Sequence, residues 1–526
     1  MRSLWSSLAA TLLLAAPNLC LRAAEPPYGA PVAARFADPE RIYVTPGLQP
    51  GRESFTNAAE LGQILRHLAG TGGTAAPRLL HVGRSHKGEA IEGLHFTRGA
   101  GRPAVLLVGQ QHGDEPAGAE ALLVVAQDLV GGIGATVLDH VDVLIVPRAN
   151  PDGAASRARR GAHGLDINRD HLLLRTPEAR ALAALAREWS PLVVADLHEH
   201  TVVGLYLQKF GAIQRHDLLL QPATVANLPT AVQRTAEEWF RVPLVQALTA
   251  HGLRSDWYHT TSSSPADLRL AMGGPQPDTA RNVHGLRHSV SLLLESRGVG
   301  IGRLHIQRRV HSHVVAVHSI LRSAASHAAE VTAVRARVNA EVAQAACKGE
   351  VTVLAGQTVH RRDVLMLDPT TGADVSVPVQ WLSSLELRTL VRRRRPCGYW
   401  LQAGADDAVR RLQALGLQVH RLVEPVELAA ERWEETSRFE GLRPDVRDGR
   451  ADDGYEARLV QVALRSATFA APAGSWYLPL DQALAHLAVA ALEPDSPASY
   501  FANRVLPELD SVARVLEVPG PKKAPN

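Results

Sequence analysis

Cysteine is scarce in this chain: three occur in 526 residues, at positions 20, 347 and 397. That scarcity excludes a cysteine-based metal site. If processing removes Cys20, the other two form one disulfide in an oxidising compartment or stay as separate buried thiols, because sequence does not show whether their α-carbons lie within bridging distance. A charge excess is also missing. With 56 basic against 53 acidic residues and a net charge of +3, there is no large single-sign field to point to nucleic acid or an anionic membrane as partner. Beyond the N-terminus no apolar run approaches membrane length, so no stable membrane insertion is expected. Internal repeats and low-complexity segments are absent as well.

What is present is ordinary globular composition, 46% hydrophobic and 21% charged, over a length that makes two domains the default expectation. The N-terminus reads as a secretory signal peptide over residues 1–23. It has Arg2, then the apolar stretch Leu8 to Ala16, then Ala23-Ala24 ahead of Glu25-Pro26-Pro27. An exported protein, periplasmic or secreted after removal of the signal, is therefore expected. Cys20 follows Pro17-Asn18-Leu19, which lacks the small residues that a lipid-attachment site prefers.

From residue 104 onward strand and helix patterns alternate. Ala104 to Gly109, His140 to Val146, Leu192 to Leu197 and Val290 to Leu294 read as strands, while Ala117 to Leu129 and Pro177 to Trp189 read as helices. The expected fold class is α/β: a mixed twisted sheet with helices on both faces, followed by a smaller C-terminal α/β accessory domain. The segment Thr201 to Arg287 is expected to build binding loops or lids over the sheet. A helical stretch from Val310 to Ala346 ends at Lys348-Gly349-Glu350. The boundary is placed there, giving a catalytic domain over 24–346 and an accessory domain over 347–526. In the latter, Val351 to Leu354 has period two, Ala405 to Leu422 reads as helix then strand, and Gly474 to Leu492 as strand then helix. The arginine run Arg392 to Arg395 reads as a solvated strand edge or a domain contact.

The chemistry concentrates at strand ends. Directly after the run Ala104 to Val108 comes Gln111-His112-Gly113-Asp114-Glu115, whose His112 and Glu115 offer two of the ligand types that catalytic zinc uses. A third candidate, His198, ends another buried strand in Asp196-Leu197-His198-Glu199-His200. The carboxyl ends of strands are where open α/β sheets place their sites. Glu199 and His200 are rivals in the same cluster, though strand alternation sends Glu199 to the face opposite His198. His200 remains a group that can support the cluster from behind; a ligand histidine needs a partner on its other nitrogen, and Asp166 and Asp196 are the candidates for that role. Between the strand ends lie Asn150-Pro151-Asp152-Gly153, the arginines 157, 159 and 160, and Asp166-Ile167-Asn168-Arg169.

In this order, H-x-x-E, N-P-D-G, D-x-N-R, a strand-end His and the strand-end Glu295 resemble the carboxypeptidase A-like zinc carboxypeptidase family, over roughly Val105 to Gly298. The resemblance implies one zinc ion held by His112, Glu115 and His198, with Asp166 supporting His112. It implies that Asn168 and Arg169 hold the substrate's terminal carboxylate, that Glu295 is the general base, and that an arginine before D-x-N-R polarises the scissile carbonyl. Arg160 matches that last role best, with Arg157 and Arg159 close by. Tyr258 stands for the tyrosine that swings over the substrate, upstream of the family's usual spacing, and Arg281 and Asn282 for the lining of the specificity pocket. The expected activity is hydrolysis of the last peptide bond of peptides with a free C-terminus. Two rivals share the ligands: a zinc amidase or deacylase acting on N-acyl amino acids or cell-wall peptides, and a zinc-binding relative without catalysis, against which Glu295 argues. His311, His313 and His318 suggest no ligand geometry, and the resemblance assigns no role to the region beyond residue 346.

Overall fold

The run Ala104–Gly109 is apolar at every position because both of its faces are covered. In the computed structural model, which describes residues 27–71, 77–442 and 456–519, it is a fully buried central strand. The signal peptide expected over residues 1–23 lies outside the described residues, as do Gly72 to Thr74. The main sheet has eight strands in the order β1-β2-β4-β3-β5-β11-β7-β8. These are β1 (Arg78–Arg84), β2 (Ala90–Phe96), β3 (Ala104–Gly109), β4 (Asp142–Val146), β5 (Val193–Thr201), β7 (Leu218–Pro222), β8 (Ser255–Trp257) and β11 (Val290–Val299). Pairing is parallel from β4 through β3 and β5 to β11 and antiparallel from β11 to β7, so the sheet is mixed as expected.

Alternation along each strand divides the core into two layers. Val105, Leu107, Leu197 and Leu294 face a cluster that includes helices Ala117–Gly131 and Ile306–Ser326. Leu106, Val108 and Val194 face helix Pro177–Trp189 through Leu182 and Leu185. The helix expected from Val310 to Ala346 is two helices, Ile306–Ser326 and Ala328–Gln344, because His327 leaves helical geometry at φ −118° and stacks on Trp239 with ring centroids 4.8 Å apart.

Two smaller sheets complete the protein. One comprises β6 (Ile213–Gln214), β9 (His259–Thr261), β10 (Arg269–Met272) and a long hairpin of β12 (Glu350–Leu367) and β13 (Asp374–Arg394), in the order β6-β12-β13-β10-β9. The other joins β14 (Gly398–Leu401), β15 (His420–Arg421), β16 (Val426–Leu442), β17 (Glu456–Ala471), β18 (Trp476–Pro479) and β19 (Val512–Val515). The segment 201–287 is therefore more than loops: it gives β7 and β8 to the main sheet and β6, β9 and β10 to the second. Its run Leu218-Leu219-Leu220 is too short for periodicity to separate strand from buried helix.

Past residue 346 the chain returns to pair with β6 and β10, and Leu412, Leu480 and Leu487 share a core with Leu172, Leu173 and Leu286. In the arginine run, Arg393 is buried on Glu493 at 2.7 Å and Asp495 at 2.6 Å, while Arg392 and Arg394 alternate outward. Cys347 and Cys397 form a disulfide that ties the end of the helical pair to the start of β14. Among the described residues no helix is long and apolar enough to cross a membrane.

Candidate active site

His112 and Glu115 follow β3 through a turn in which Gln110 takes φ 49°. The turn packs so closely on N-P-D-G that a Cβ on Gly113 would meet the Gly153 carbonyl carbon at 2.0 Å. Asn150 caps the short helix Pro151–Ser156 by accepting from the Gly153 N–H at 2.9 Å, and Asp152 accepts from Ser85 Oγ at 2.7 Å. N-P-D-G is thus the floor on which the H-x-x-E turn rests. His198 comes from β5, and the register of β5 with β11 sets Glu295 directly beside it.

Three buried side chains converge. His112 Nδ1 lies 2.8 Å from Glu115 Oε1, His198 Nδ1 lies 2.8 Å from Glu115 Oε2, and the two Nδ1 atoms are 3.0 Å apart. Each outer ring nitrogen meets its own carboxylate: His112 Nε2 is 3.1 Å from Asp166 Oδ1 and His198 Nε2 is 2.9 Å from Asp196 Oδ2. Those partners place the ring proton on Nε2 and turn the Nδ1 lone pairs inward, beside a carboxylate. Converging lone pairs and a negative charge repel each other unless a cation lies among them. The donor set, two imidazoles and a carboxylate, is one that zinc takes with a further position left for water. The residues fit a zinc ion.

The remaining expected residues fall around this cluster. Arg159 reaches it, with Nη2 2.9 Å from Asp166 Oδ2 and Nη1 3.1 Å from His112 Nδ1 and 3.3 Å from Glu115 Oε1. The Arg159 carbonyl accepts from the Gly113 N–H, whereas the Arg160 carbonyl packs on Gly153. Asn168 is buried behind His198, with Nδ2 3.3 Å from Asp196 Oδ2 and Oδ1 accepting from the Ala280 N–H at 2.8 Å. Arg169 is half-buried, with Nη1 donating to the Asn168 carbonyl at 2.8 Å. Burial disfavours its charge, but Asp166 and Asp278 more than offset this, and Tyr258 lies within electrostatic range of it. Burial, assisted by the negative Glu115, pushes the Glu295 carboxyl up to about 8 against the pull of His198.

Support for the cluster extends to residues whose roles spacing did not reveal. Gln111 Nε2 donates to Asp196 Oδ1 at 2.7 Å, and Gln111 Oε1 meets His171 Nε2 at 2.7 Å. The hint of this in the sequence was the position of Gln111 next to His112. His313 Nε2 meets the His198 carbonyl at 3.1 Å. Glu199 points to the opposite face, as alternation requires, accepting from the Ala117 N–H at 2.8 Å and pairing with Arg309. Gly298 makes room for it, since a Cβ there would lie 1.5 Å from Glu199 Oε2. His200 bonds the Thr201 carbonyl at 3.2 Å. Arg281 and Asn282 are buried against the turn at 274–276, donating to the Gly274 carbonyl at 2.9 and 3.0 Å. His311 and His318 lie elsewhere, on Tyr43 and Asp128.

The family described as zinc carboxypeptidase matches residues 73–209. Carboxypeptidase 2 of Trichophyton equinum is 30% identical over 407 residues, covering 75% of this chain and 72% of that protein. A protein named probable carboxypeptidase 2, of Trichophyton verrucosum, is 30% identical over 393 residues, covering 72% of each. Among solved structures, a metallo-carboxypeptidase from Pseudomonas aeruginosa is 19% identical with a TM-score of 0.40, covering 52% of this chain and 69% of that one.

Proposed function

The chain belongs to the zinc carboxypeptidase family and is a hydrolase of the metallocarboxypeptidase type, and on that premise we propose that it removes the last residue of peptides with a free C-terminus, using one zinc ion held by His112, Glu115 and His198 and Glu295 as general base. The observation that carries this reading is the convergence of two Nδ1 atoms and a carboxylate at 2.8–3.0 Å, with Glu295 level with His198. Zinc, when bound, acidifies water and polarises a carbonyl oxygen.

The chain's own side chains do the rest. Arg169 makes charge-assisted hydrogen bonds to the terminal carboxylate, a task that suits the planar guanidinium fork, and Asn168 lies beside it. Arg159, in the role expected of Arg160, donates to the scissile carbonyl oxygen as negative charge develops there. Glu295 takes the proton of the attacking water and returns it to the leaving amine. Asp166 and Asp196 hold the two imidazoles in one tautomer, and Tyr258 closes over the last side chain. Export to a periplasmic or extracellular compartment is part of the same proposal, and the pairing of Cys347 with Cys397 supports it.

Purified protein loaded with zinc, incubated with a series of peptides, their C-terminal amides and N-acyl amino acids, tests the proposal by mass spectrometry of the products. Stepwise loss of C-terminal residues from free acids, with the amides resistant, is expected. Turnover confined to N-acyl amino acids or cell-wall peptides overturns the peptidase reading in favour of an amidase. No turnover at full metal occupancy leaves a binding protein.

A further inference from the structure

Tyr258 is the joint between two sheets. It follows β8, whose Asp256 is in register with Leu219 of β7 and through it with Glu295 of β11, and it precedes β9 of the second sheet. Its N–H donates to the Leu220 carbonyl at 3.0 Å. Residues on both sides of it, Asp256 and His259, are met by groups from the long hairpin about a hundred residues later in the chain. Arg362 Nη2 lies 2.7 and 2.8 Å from the two oxygens of Asp256, and its guanidinium stacks 4.3 Å from the Trp381 ring centroid. The same Trp381 ring lies 5.2 Å from His259, and Trp257 packs on the apolar cluster that contains Trp381 and Met366.

The hold continues at the other end of the segment. β10 pairs in parallel with β13, placing Leu270 opposite Trp381. Gln357 Nε2 donates to the Met272 carbonyl at 3.0 Å and Ser384 Oγ to the Gly273 carbonyl at 2.7 Å. Loop segments of this kind are the mobile parts of most folds, and a side chain that must meet substrate in one position needs rigid neighbours.

We propose that the hairpin β12–β13 builds one wall of the substrate site, with Arg362 and Trp381 as positioning residues that act through Tyr258. The region beyond residue 346 then has a role in catalysis without supplying a reacting group. This inference rests on the reading of Tyr258 given under the proposed function. An arginine fits the position because its flat cation can pair with Asp256 and stack on an indole at once, which a lysine does less well.

The test uses full-length protein. In Arg362→Ala, with zinc content and circular dichroism unchanged, KM for a peptide should rise by about tenfold while kcat stays within about twofold, and Arg362→Lys should restore part of the loss. Hydrogen exchange over residues 255–272 should quicken. Adding Arg362→Ala to Tyr258→Phe should cost little beyond Tyr258→Phe alone, because coupled residues are not additive. Should Arg362→Ala fold poorly, Trp381→Phe asks the same question. Unchanged exchange over 255–272 overturns the clamp whatever Tyr258 does. Faster exchange with a silent Tyr258→Phe overturns instead the reading of Tyr258, and additive losses in the double variant overturn the claim that Arg362 acts through it.

Discussion

Asp196 stands behind His198, its Oδ2 2.9 Å from the ring Nε2, with both side chains sealed from solvent. Its other oxygen is taken by Gln111, which is held in turn by His171, so the carboxylate is fixed at both ends. Asp196→Asn keeps the shape but can offer an N–H to Nε2, and a ring that accepts there carries its proton on Nδ1, where a metal must bind. Zinc affinity, read by competition with a chelating dye, should fall about 10- to 100-fold. Unchanged affinity would show that the tautomer is set by something else.

Glu295 stands in register with His198 and is buried, with burial holding its carboxyl up at about 8. A cation held by the proposed ligands His112, Glu115 and His198 would favour its ionised form and lower it from there, the direction a general base needs. Glu295→Gln retains size and loses that capacity. The expected result is one bound zinc, a KM within about twofold, and a kcat lower by about a hundred- to ten-thousandfold. Retained kcat would remove the general base from the mechanism.

Arg159 and Arg160 separate cleanly by substitution. Arg159→Ala removes the guanidinium that spans Asp166 and Glu115, and kcat/KM should drop by about a hundredfold or more if that group stabilises charge on the carbonyl oxygen. Arg160→Ala should lower kcat/KM by less than Arg159→Ala does, on the reading that Arg159 is the arginine at the carbonyl oxygen. The reverse ranking would return the role to Arg160.

The strands that carry the proposed ligands were legible because continuous apolar runs, such as Val105–Val108, leave few alternatives, and because His112 and His198 sit at the ends of two of them. Which arginine turns inward was not legible. Residues 157–160 leave a short helix through Arg157 in left-handed geometry, and the Arg159 carbonyl is tied to the Gly113 N–H, a contact across 46 residues that spacing within the segment does not reveal. Asp196 was visible as a candidate but Gln111 and His171 were not, since their contacts span 85 and 60 residues. The wall around Tyr258 was the least readable part. It depends on β10 finding β13, with Leu270 opposite Trp381, and strand alternation within one segment says nothing about its partner in another.

The Cys347–Cys397 bond closes a loop of 50 residues. In the chain-entropy account a loop of that length contributes about 4 kcal/mol by restricting the unfolded chain. The double substitution Cys347→Ser with Cys397→Ser should therefore shift urea unfolding to lower midpoint with zinc binding preserved, since neither residue contacts the ligands. A midpoint unchanged from the oxidised protein would mean that the unfolded chain is already restricted there.

Asp217 gives the protein an acid-sensitive anchor. Burial alone would raise its pKa, but Arg308 at 2.7 Å and Arg254 at 3.3 Å outweigh burial and hold the carboxyl below its ordinary value. A depressed folded-state pKa stabilises at every pH above the unfolded value, near 3.9 for aspartate, and that stabilisation is lost as pH falls from there through the folded value. Asp217→Asn should be less stable than the wild type at neutral pH, by about 3 kcal/mol for a charge pair broken on one side. The gap between the two proteins should narrow as pH is lowered below about 4, where wild-type Asp217 is itself neutralised. Urea midpoints measured on both proteins between neutral and acid pH check the sign: a gap that widened in acid would place the depressed carboxylate elsewhere.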